Sequence, residues 1–597
     1  MMDNMDDIDV ALGYLPEMAK GGHTLITTRN PDHLTIPAEG LHIPTLDEDT
    51  AVDLLLLRSQ IEGTESSLDS NHAVEIVREL GCLALAIEQA AAFIRSSVDG
   101  IAKFLAVYHK FRHQFLRQKL PRTHPYPNSV AATFLLSFNR LHDDADHGEH
   151  AIILLRLLAF LNPDGVLIDF LRSGSHGLDD ALRQVVDDEL VFHHALELLQ
   201  RYSLVALSQK RDNIVIHRLV QAVIKDHLDE TELRTFRVNV IGVCNIFPEI
   251  DITLMMTDRI KCRKLQSQVL EPVVEAAEAY SDTASDLLLK IGRFLSADAK
   301  YRDSERVFSI CVEMRAKLFS EDHPKTLNAM SWLADTFCES GKLNQAAAMH
   351  DRVLEIRKRI LGEEHLDTLS SMHHIALVFH YQGKLDQAAA MYPRVLEGRK
   401  RILGEEHPDT LISIYNLAGI LHDLGKLDQA AAMDQRVLEG RKRILGEEHP
   451  DTLRAMGRVA WSLGQQGKLS EATALGEKAL LTMRRILGEE HPTTVVAMGD
   501  LALTFGRQGK LDQEAVMEEN VLEARKRTLG EEHPYTLTAI ENLSLSYYSL
   551  GRRLEARELL RKAVAVSRKV LGEDHPYTRE RVARLSEWLG TFLLRLV

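Results

Sequence analysis

Hydrophobic and polar residues in the second half of the chain follow a pattern that repeats every 42 residues without insertion or deletion. The pair His-Pro marks every copy except the one at His365, where leucine replaces the proline. A glycine recurs with the same period from Gly341 to Gly551. The marking histidines are His323, His365, His407, His449, His491, His533 and His575. A fixed period of this length indicates stacked repeats, each of which is one supersecondary unit.

Each unit is predicted to contain two helices, helix A and helix B. In the third copy, apolar residues at helical spacing predict helix A over residues 409–424. Pro408 suits its first turn, and Gly425 is suited to end it in a left-handed conformation. Helix B is predicted to start near Leu427, and basic residues such as Arg441 in its last turns would complement the helix dipole. One such hairpin leaves its apolar stripe uncovered, so the units must stack into a solenoid.

These units resemble tetratricopeptide repeats of the kinesin-light-chain type, with the motifs GKLDQA and LGEEHP in the best copies. The resemblance covers residues 283–597 and implies an α-α superhelix whose concave face binds a protein or peptide. A degenerate first unit is expected before His323, with a stripe formed by Leu287, Leu288, Ile291 and Phe294.

The helix A positions expected on the concave face differ from copy to copy, whereas the stacking positions stay constant. A constant scaffold with a changing face is what a peptide-binding groove needs. The alternative is that the changing positions are ordinary solvated residues. The groove residues predicted in this way are Asn328, Trp332, His373, Tyr415, Asn416, Arg454, Arg458, Asp500 and Asn542.

The evenly spaced histidines do not predict a metal site. Each lies one repeat from the next, roughly 10 Å along a stack of packed helices, whereas zinc needs ligands about 2 Å from one ion. His373 and His374 are adjacent on one helix and point to different faces. The expected role of the repeating histidines is structural, at the turn before helix A, and the sequence predicts no metal-ligating set.

The first 280 residues carry weaker motifs in a definite order. Asp6 and Asp7 lie in an acidic opening segment, and residues 23–30 read as a buried strand that ends at Arg29. A helix with an opening glycine is predicted from Gly81. Residues 214–224 contain His217 between apolar residues.

This order resembles the C-terminal part of an NB-ARC module, the nucleotide switch of STAND-class signalling proteins. The resemblance implies that Asp6 and Asp7 form the tail of a Walker B motif and that Arg29 is a sensor for the terminal phosphate. Gly81 would open a GLPLA-like motif in which Ala84 replaces proline. His217 would belong to an MHD-like motif that contacts the β-phosphate of ADP. Three of these assignments also have a plain reading: Asp6 and Asp7 as an acidic tail, Arg29 as a solvated strand end, and His217 as a core histidine.

The P-loop of that family is missing, because no G-x-x-x-x-G-K-[ST] occurs and every Gly-Lys is followed by leucine. The P-loop supplies the backbone cradle and the lysine for the phosphates. We therefore expect an N-terminally truncated module with a defective switch, no ATPase activity and no required cofactor, although residual ADP or ATP could bind.

The composition narrows the function further. With 71 basic and 87 acidic side chains the net charge is −16, which argues against nucleic-acid binding. No apolar stretch approaches the 20 residues that cross a bilayer, so no membrane partner is expected. The five cysteines are scattered and odd in number, which indicates reduced thiols and a cytoplasmic location.

The predicted fold class is mainly α, with a remnant α/β piece, helical and winged-helix subdomains, and the repeat superhelix. The predicted function is a scaffold or sensor arm of a STAND/NLR-like signalling protein, in which a full-length relative could oligomerise. Two alternatives remain, a functional signalling ATPase and a kinesin-light-chain-like cargo adaptor. The predicted domains are 1–45 for the nucleotide-binding remnant, 46–118 for the helical subdomain, 119–232 for the winged helix, 233–282 for a helical linker and 283–597 for the repeats.

Overall fold

The computed structural model describes residues 45–59, 67–96, 101–106, 108, 138, 141–142, 144–202, 204–249, 256–277 and 281–593. These residues are mainly α-helical, as the sequence predicts. They form two compact units, one within residues 1–247 and 264–287, the other within 248–263 and 288–597. None of the helices in the described ranges is long and apolar enough to cross a membrane. The predicted sites at Asp6, Asp7 and Arg29, and the strand over 23–30, lie outside the described residues.

In the described part of the first unit, three helices pack around an apolar core that includes Leu55, Ile76 and Ile87. They are α1 Glu48–Ser59, α2 Ser67–Glu79 and α3 Ala84–Ser96. Between α2 and α3 the chain turns through Gly81 and Cys82, which both have positive φ angles, 60° and 53°. The prediction that a helix opens at Gly81 is therefore wrong, because the left-handed turn there ends one helix before the next begins.

The next part of the first unit combines helices with a small antiparallel sheet. Its helices are α4 Gly148–Leu158, α5 Ile168–Gly174, α6 Asp180–Asp187, α7 Glu189–Arg201, α8 Arg218–Lys225 and α9 Glu230–Cys244. Its strands are β1 Val166–Leu167, β2 Ala206–Leu207 and β3 Asn213–Val215. The strand order is β1-β3-β2, with Val166 opposite Ile214 and Ala206 opposite Val215. Val166 and Ile214 are fully buried, so the sheet packs its apolar residues against the helices.

The repeat array begins after helix α10, Met256–Ala276, and alternates helices of similar length. The degenerate first unit is α11 Asp282–Ala297 and α12 Tyr301–Leu318. The later A helices are α13 Pro324–Glu339, α15 Leu366–Tyr381, α17 Pro408–Asp423, α19 Pro450–Gln465, α21 Pro492–Arg507, α23 Pro534–Ser549 and α25 Pro576–Leu593. The B helices are α14 Leu343–Leu361, α16 Leu385–Leu403, α18 Leu427–Leu445, α20 Leu469–Leu487, α22 Leu511–Leu529 and α24 Arg553–Val570.

Each repeating histidine caps the N-terminus of an A helix. In His407, for example, ring Nδ1 accepts a hydrogen bond from the backbone N–H of Asp409 at 3.2 Å. The same bond recurs with distances of 3.1 to 3.2 Å at His323, His365, His449, His491, His533 and His575. The bond satisfies one of the N–H groups that a helix start leaves unpaired. The structural role predicted for these histidines is confirmed.

Helix ends and stacking follow from the same sequence pattern. A helices end before glycines in the left-handed conformation, such as Gly425 with φ of 73°. Arg441 donates to the backbone oxygen of Asp451 at 2.9 Å and so joins helix B of one unit to helix A of the next. This contact between repeats was not predicted from the sequence, which assigned Arg441 only to the dipole of its own helix.

The array returns on itself after somewhat more than five repeats. The ring of His533 lies 3.4 Å from the backbone oxygen of Ala297, and that of His575 lies 3.3 Å from that of Glu339. Both pairs are 236 residues apart in sequence. A third contact runs from Arg263 to the backbone oxygen of Leu529 at 2.8 Å. We call this line of contacts the seam; it makes the repeats a closed superhelical turn.

Candidate functional site

The inner wall of the repeat array is built from two recurring positions. The first is the ninth residue after each capping histidine, on helix A. The second is the residue after the methionine or leucine near the middle of helix B. Helix A of one unit meets helix B of the preceding unit at these positions, as His374 meets His350 and Arg458 meets Asp434. We name these two rows the inner wall, because A helices are expected to line the concave face of such a solenoid. The inner wall consists of Trp332, His374, Asn416, Arg458, Asp500, Asn542 and Arg584 on A helices and His350, Tyr392, Asp434, Gly476, Glu518 and Leu560 on B helices.

Five of the nine predicted groove residues belong to this wall, and sequence reasoning missed the whole helix B row. A signal for that row was present. Helix B is nearly constant between copies, yet the residue after Met349, Met391 and Met433 changes from histidine to tyrosine to aspartate. A changing position within a constant helix is the same pattern that singled out helix A.

His373 belongs to a buried polar chain beside the wall. Its Nδ1 lies 3.2 Å from the Tyr392 hydroxyl, and the Asn416 amide nitrogen lies 3.2 Å from its Nε2. Because the amide donates to Nε2, the proton of the neutral ring sits on Nδ1. Burial lowers the pKa of His373 to about 3, and the charges of His374 and Arg399 act in the same direction. His373 therefore holds Asn416 in place and is not open to a ligand.

Arg458 stands at the middle of the wall between aromatic rings. Its guanidinium lies 5.2 Å from the Tyr415 ring centroid and 4.5 Å from that of Trp461. Its Nε lies 3.6 Å from a carboxylate oxygen of Asp434, too far for a hydrogen bond. The side chain is 22% exposed. The aromatic faces fix this cation in place while leaving hydrogen-bond donors for a ligand.

Asp434 lies behind Arg458 and is fully buried. One of its oxygens lies 3.2 Å from Nε2 of His422 and accepts a bond from the Ser462 hydroxyl. The other oxygen is buried without a partner among the described residues. Burial raises the pKa of Asp434, although the Ser462 bond and the charge of Arg458 lower it. The site thus places the buried carboxyl group of Asp434, with one oxygen hydrogen-bonded to described residues and the other not, behind the guanidinium of Arg458.

A shallow recess opens beside Trp461. Gly457 and Gly476 leave this space open because neither carries a side chain, and the position of Gly476 holds a larger residue in the other units, such as Tyr392 or Glu518. Asp500 forms the far side of the recess. The concave wall surrounds Asp500 with protein while leaving part of it open to water, and this burial raises its pKa to about 6 against the lowering effect of Arg458 and Arg525.

The wall becomes more acidic in the next unit. Glu518 is buried, and neither of its carboxylate oxygens has a partner with normal hydrogen-bond geometry in the described part of the chain. Burial raises its pKa to about 8, against the lowering charge of Arg525. Beyond it, Glu541 is neutralised by Arg581 at 2.9 Å and by Arg584. Near neutral pH the raised pKa keeps Glu518 protonated, so the negative charge of this part of the wall lies at Asp500.

The remaining predicted groove residues differ in their surroundings. Trp332 stacks on Phe308 with centroids 6.4 Å apart, and the guanidinium of Arg293 lies 5.0 Å from its ring. Asn328 is exposed. Arg454 is exposed and pairs with Asp451 on its own helix at 2.7 Å. These residues are not brought together with Arg458 and Asp500.

Three side chains at the start of the wall could hold a metal ion. Asp335, His350 and His374 each offer one ligand atom, and these atoms lie within 4.8 Å of one another. The histidine pair comes from helix α14 and helix α15, so it differs from the adjacent pair that the sequence excluded.

His217 lies in the first unit, at the N-terminus of α8. Its Nδ1 accepts from the backbone N–H of Leu219 at 3.1 Å, so Nε2 carries the proton and donates to the Gly81 oxygen at 3.1 Å. A side chain on residue 81 would come within 2.6 Å of Nε2. Burial lowers the pKa of His217, although the bond to Gly81 raises it. The GLPLA-like turn and the MHD-like histidine are therefore in contact.

Family models match much of the chain. Tetratricopeptide-repeat models match residues 283–480 in four overlapping segments and residues 494–535 and 536–577. A family described as a domain of unknown function (DUF7779) matches residues 145–233, which contain the small sheet.

Individual proteins and solved structures are also similar to this chain. A nucleotide-binding leucine-rich repeat (NLR)-like protein of Hyaloscypha variabilis is 29% identical over 335 residues, which cover 53% of this chain and 31% of the relative. The TPR-like repeats of Podosopora anserina are 25% identical and cover 34% of this chain and 98% of theirs, with a TM-score of 0.31. A STAND protein with a tetratricopeptide repeat sensor from Pyrococcus horikoshii is 14% identical, covers 95% of this chain and 78% of its own, and has a TM-score of 0.34.

Proposed function

We propose that the repeat array, which tetratricopeptide-repeat models match at residues 283–480 and 494–577, is the partner-binding arm of an NLR- and STAND-like signalling protein. The observation that carries this proposal is the inner wall, where a constant stacking scaffold presents a different side chain in every unit. The ligand would be an extended protein segment, because the wall is a row of positions one repeat apart.

The centre of the wall suggests the chemistry of that segment. Arg458 is held between Tyr415 and Trp461 and would bind a carboxylate. The recess beside Trp461 would accept a small apolar side chain. Asp500, which is mainly ionised near neutral pH, would attract a lysine or arginine. The proposed ligand therefore carries an acidic and a basic residue on either side of a small apolar one.

The same proposal includes a switch that does not hydrolyse nucleotide. No P-loop sequence occurs in the 597 residues. Both ring nitrogens of His217 are used by backbone groups, so a phosphate would have to displace the Gly81 oxygen. The small sheet with its surrounding helices supports a winged-helix assignment for this part. Five free thiols support a cytoplasmic location.

Selection of peptides by the full chain tests the proposed groove. A displayed library of random peptides is panned against the wild type and against Gly476→Leu, which would fill the recess. We expect an enriched motif with an acidic, a small apolar and a basic residue, and we expect Gly476→Leu to lose it. Identical motifs from both proteins would move the binding site away from the recess.

Denaturation of the purified full chain tests the switch. We expect no stoichiometric ADP or ATP in the released small molecules, because the phosphate cradle is missing. One equivalent of nucleotide per chain would contradict the defective switch and would favour a functional site around His217.

A further inference from the structure

The cluster of Asp335, His350 and His374 has the composition of a metal site. His350 Nε2 lies 3.1 Å from Oδ1 of Asp335, and His374 Nδ1 lies 3.2 Å from the same oxygen. The two imidazole rings are nearly parallel, with centroids 5.2 Å apart and planes inclined by 16°. Three helices of two consecutive units supply the three residues, so stacking of the repeats creates the cluster.

The distances match the spacing of ligands around zinc. Ligand atoms at about 2.0–2.1 Å from the ion in a tetrahedral site are about 3.3 Å from one another. Two edges of the cluster are already 3.1 and 3.2 Å, and all three ligand atoms lie within 4.8 Å. Only the edge between the histidines has to shorten, by a small rotation of His374, whose side chain is 34% exposed.

The donor set of the cluster suits a transition metal. Imidazole nitrogen and carboxylate oxygen are both ligands that zinc accepts in proteins. They bind a metal as neutral imidazole and ionised carboxylate, so metal binding is expected to weaken in acid.

We propose that Asp335, His350 and His374 bind a divalent transition metal of the zinc class on the inner wall. Two histidines and one carboxylate leave a fourth position, which water or a side chain of a bound partner would fill. The second nitrogen of His350, Nδ1, is buried without a partner among the described residues. An outer hydrogen bond to a ligating histidine strengthens metal binding about 10- to 100-fold. Because His350 lacks such a bond within the described residues, we expect the metal ion to bind with only micromolar affinity and to exchange with solvent.

The zinc proposal does not depend on the groove proposal. Its residues lie in the units around α13 to α15, whereas Arg458 and the recess lie in those around α19 to α21. Loss of metal binding would leave the peptide motif unchanged, and loss of the peptide site would leave metal binding unchanged.

Zinc titration of the untagged full chain, stripped of metal beforehand, tests the site against a chromophoric zinc indicator. We expect one equivalent of Zn²⁺ to bind and His374→Ala and Asp335→Asn each to weaken binding at least 10-fold. Both side chains are about one-third exposed, so these variants should fold, which circular dichroism checks. The matched control is His365→Asn, an exposed capping histidine at the start of the same helix α15.

Cobalt provides a second readout of the ligand set. We expect Co²⁺ bound to the wild type and to His365→Asn to give the visible absorption of a low-coordinate site, and His374→Ala to abolish that absorption. The proposal is overturned if the wild type binds no Zn²⁺ more tightly than His374→Ala, or if His365→Asn weakens binding as much as the wall variants do.

Discussion

Single side chains in this array depend on their protonation state. The capping histidines act through a lone pair on Nδ1, so a protonated ring, which has two N–H groups, would lose its cap. Burial lowers the pKa of His533 from the ordinary 6.5 to about 4, and the positive charges of Arg259 and Arg263 also lower it. The folded state therefore takes up a proton at lower pH than the unfolded chain does.

This pKa difference predicts acid sensitivity at His533. A lowered histidine pKa contributes stability that is present above pH 6.5 and is lost as the pH falls from 6.5 towards 4. The two values differ by about 2.5, so the loss is at most about 3 kcal/mol. His533→Asn keeps a cap and should flatten the fall of the urea midpoint between pH 7 and pH 5. His365→Asn, at an exposed cap, is the control. If both variants flatten the pH dependence of the urea midpoint equally, burial of His533 is not the cause of the acid sensitivity.

Each B helix contacts its neighbours through one face and carries exposed charged side chains on another. In helix α16, Arg399 donates to the Asp409 backbone oxygen at 2.9 Å and to the Ser413 hydroxyl at 2.7 Å. Arg401, two residues later, pairs with Glu364 and is 56% exposed. Both residues are arginines, but Arg399 joins neighbouring repeats whereas Arg401 forms an ion pair at the surface.

Conservative replacement should separate these two roles. Arg399→Lys loses the guanidinium fork, in which Nη1 donates to Asp409 and Ser413 while Nη2 donates to the Ser370 hydroxyl at 2.9 Å. We expect a loss of about 1–3 kcal/mol in the free energy of unfolding. Arg401→Lys keeps an exposed ion pair and should change stability by less than about 0.5 kcal/mol. Chemical denaturation at neutral pH compares them. Similar losses in both variants would mean that the contact between repeats contributes little.

Sequence periodicity predicted these helices closely, and the structure explains what it missed. Helix A of the third copy was expected over 409–424 and lies at Pro408–Asp423. The strict period fixes such bounds because each marker is a local capping or turn residue. His350 and His374 were not paired, because their contact depends on how one unit stacks on the next. Predicting this contact would have required aligning the positions of helix B in one unit with those of helix A in the next.

At the scale of the whole molecule, the repeats close at the seam. Small rotations between successive units add up over the array and bring Gly341 close to His575. The sequence does not predict this contact, because no local pattern specifies the accumulated rotation. A side-chain carbon on Gly341 would lie 2.7 Å from His575 Cδ2 and 3.0 Å from Pro576 Cδ. The equivalent Gly425 has nothing within 4 Å of that position. Both glycines have similar left-handed φ angles, 78° and 73°.

Alanine substitutions at Gly341 and Gly425 test whether the seam is formed in solution. Gly341→Ala and Gly425→Ala should each lose about 1 kcal/mol from the left-handed backbone. Gly341→Ala should lose about 1–3 kcal/mol more from overpacking, or open the seam and raise the radius of gyration in small-angle X-ray scattering. Equal stability and equal size of the two variants would argue that the seam does not persist in solution.

The central claim is that the inner wall binds a protein segment through Arg458. Its most direct test is the affinity of the best selected peptide for the wild type, Arg458→Glu and Arg443→Glu, measured by fluorescence anisotropy on full chains. Arg443 is the matched control, because it is an exposed arginine paired with Glu406 away from the wall. We predict that Arg458→Glu weakens binding at least 10-fold, that Arg443→Glu leaves it unchanged, and that a peptide with its acidic residue changed to lysine partly restores binding to Arg458→Glu. Unchanged affinity in Arg458→Glu would contradict the account.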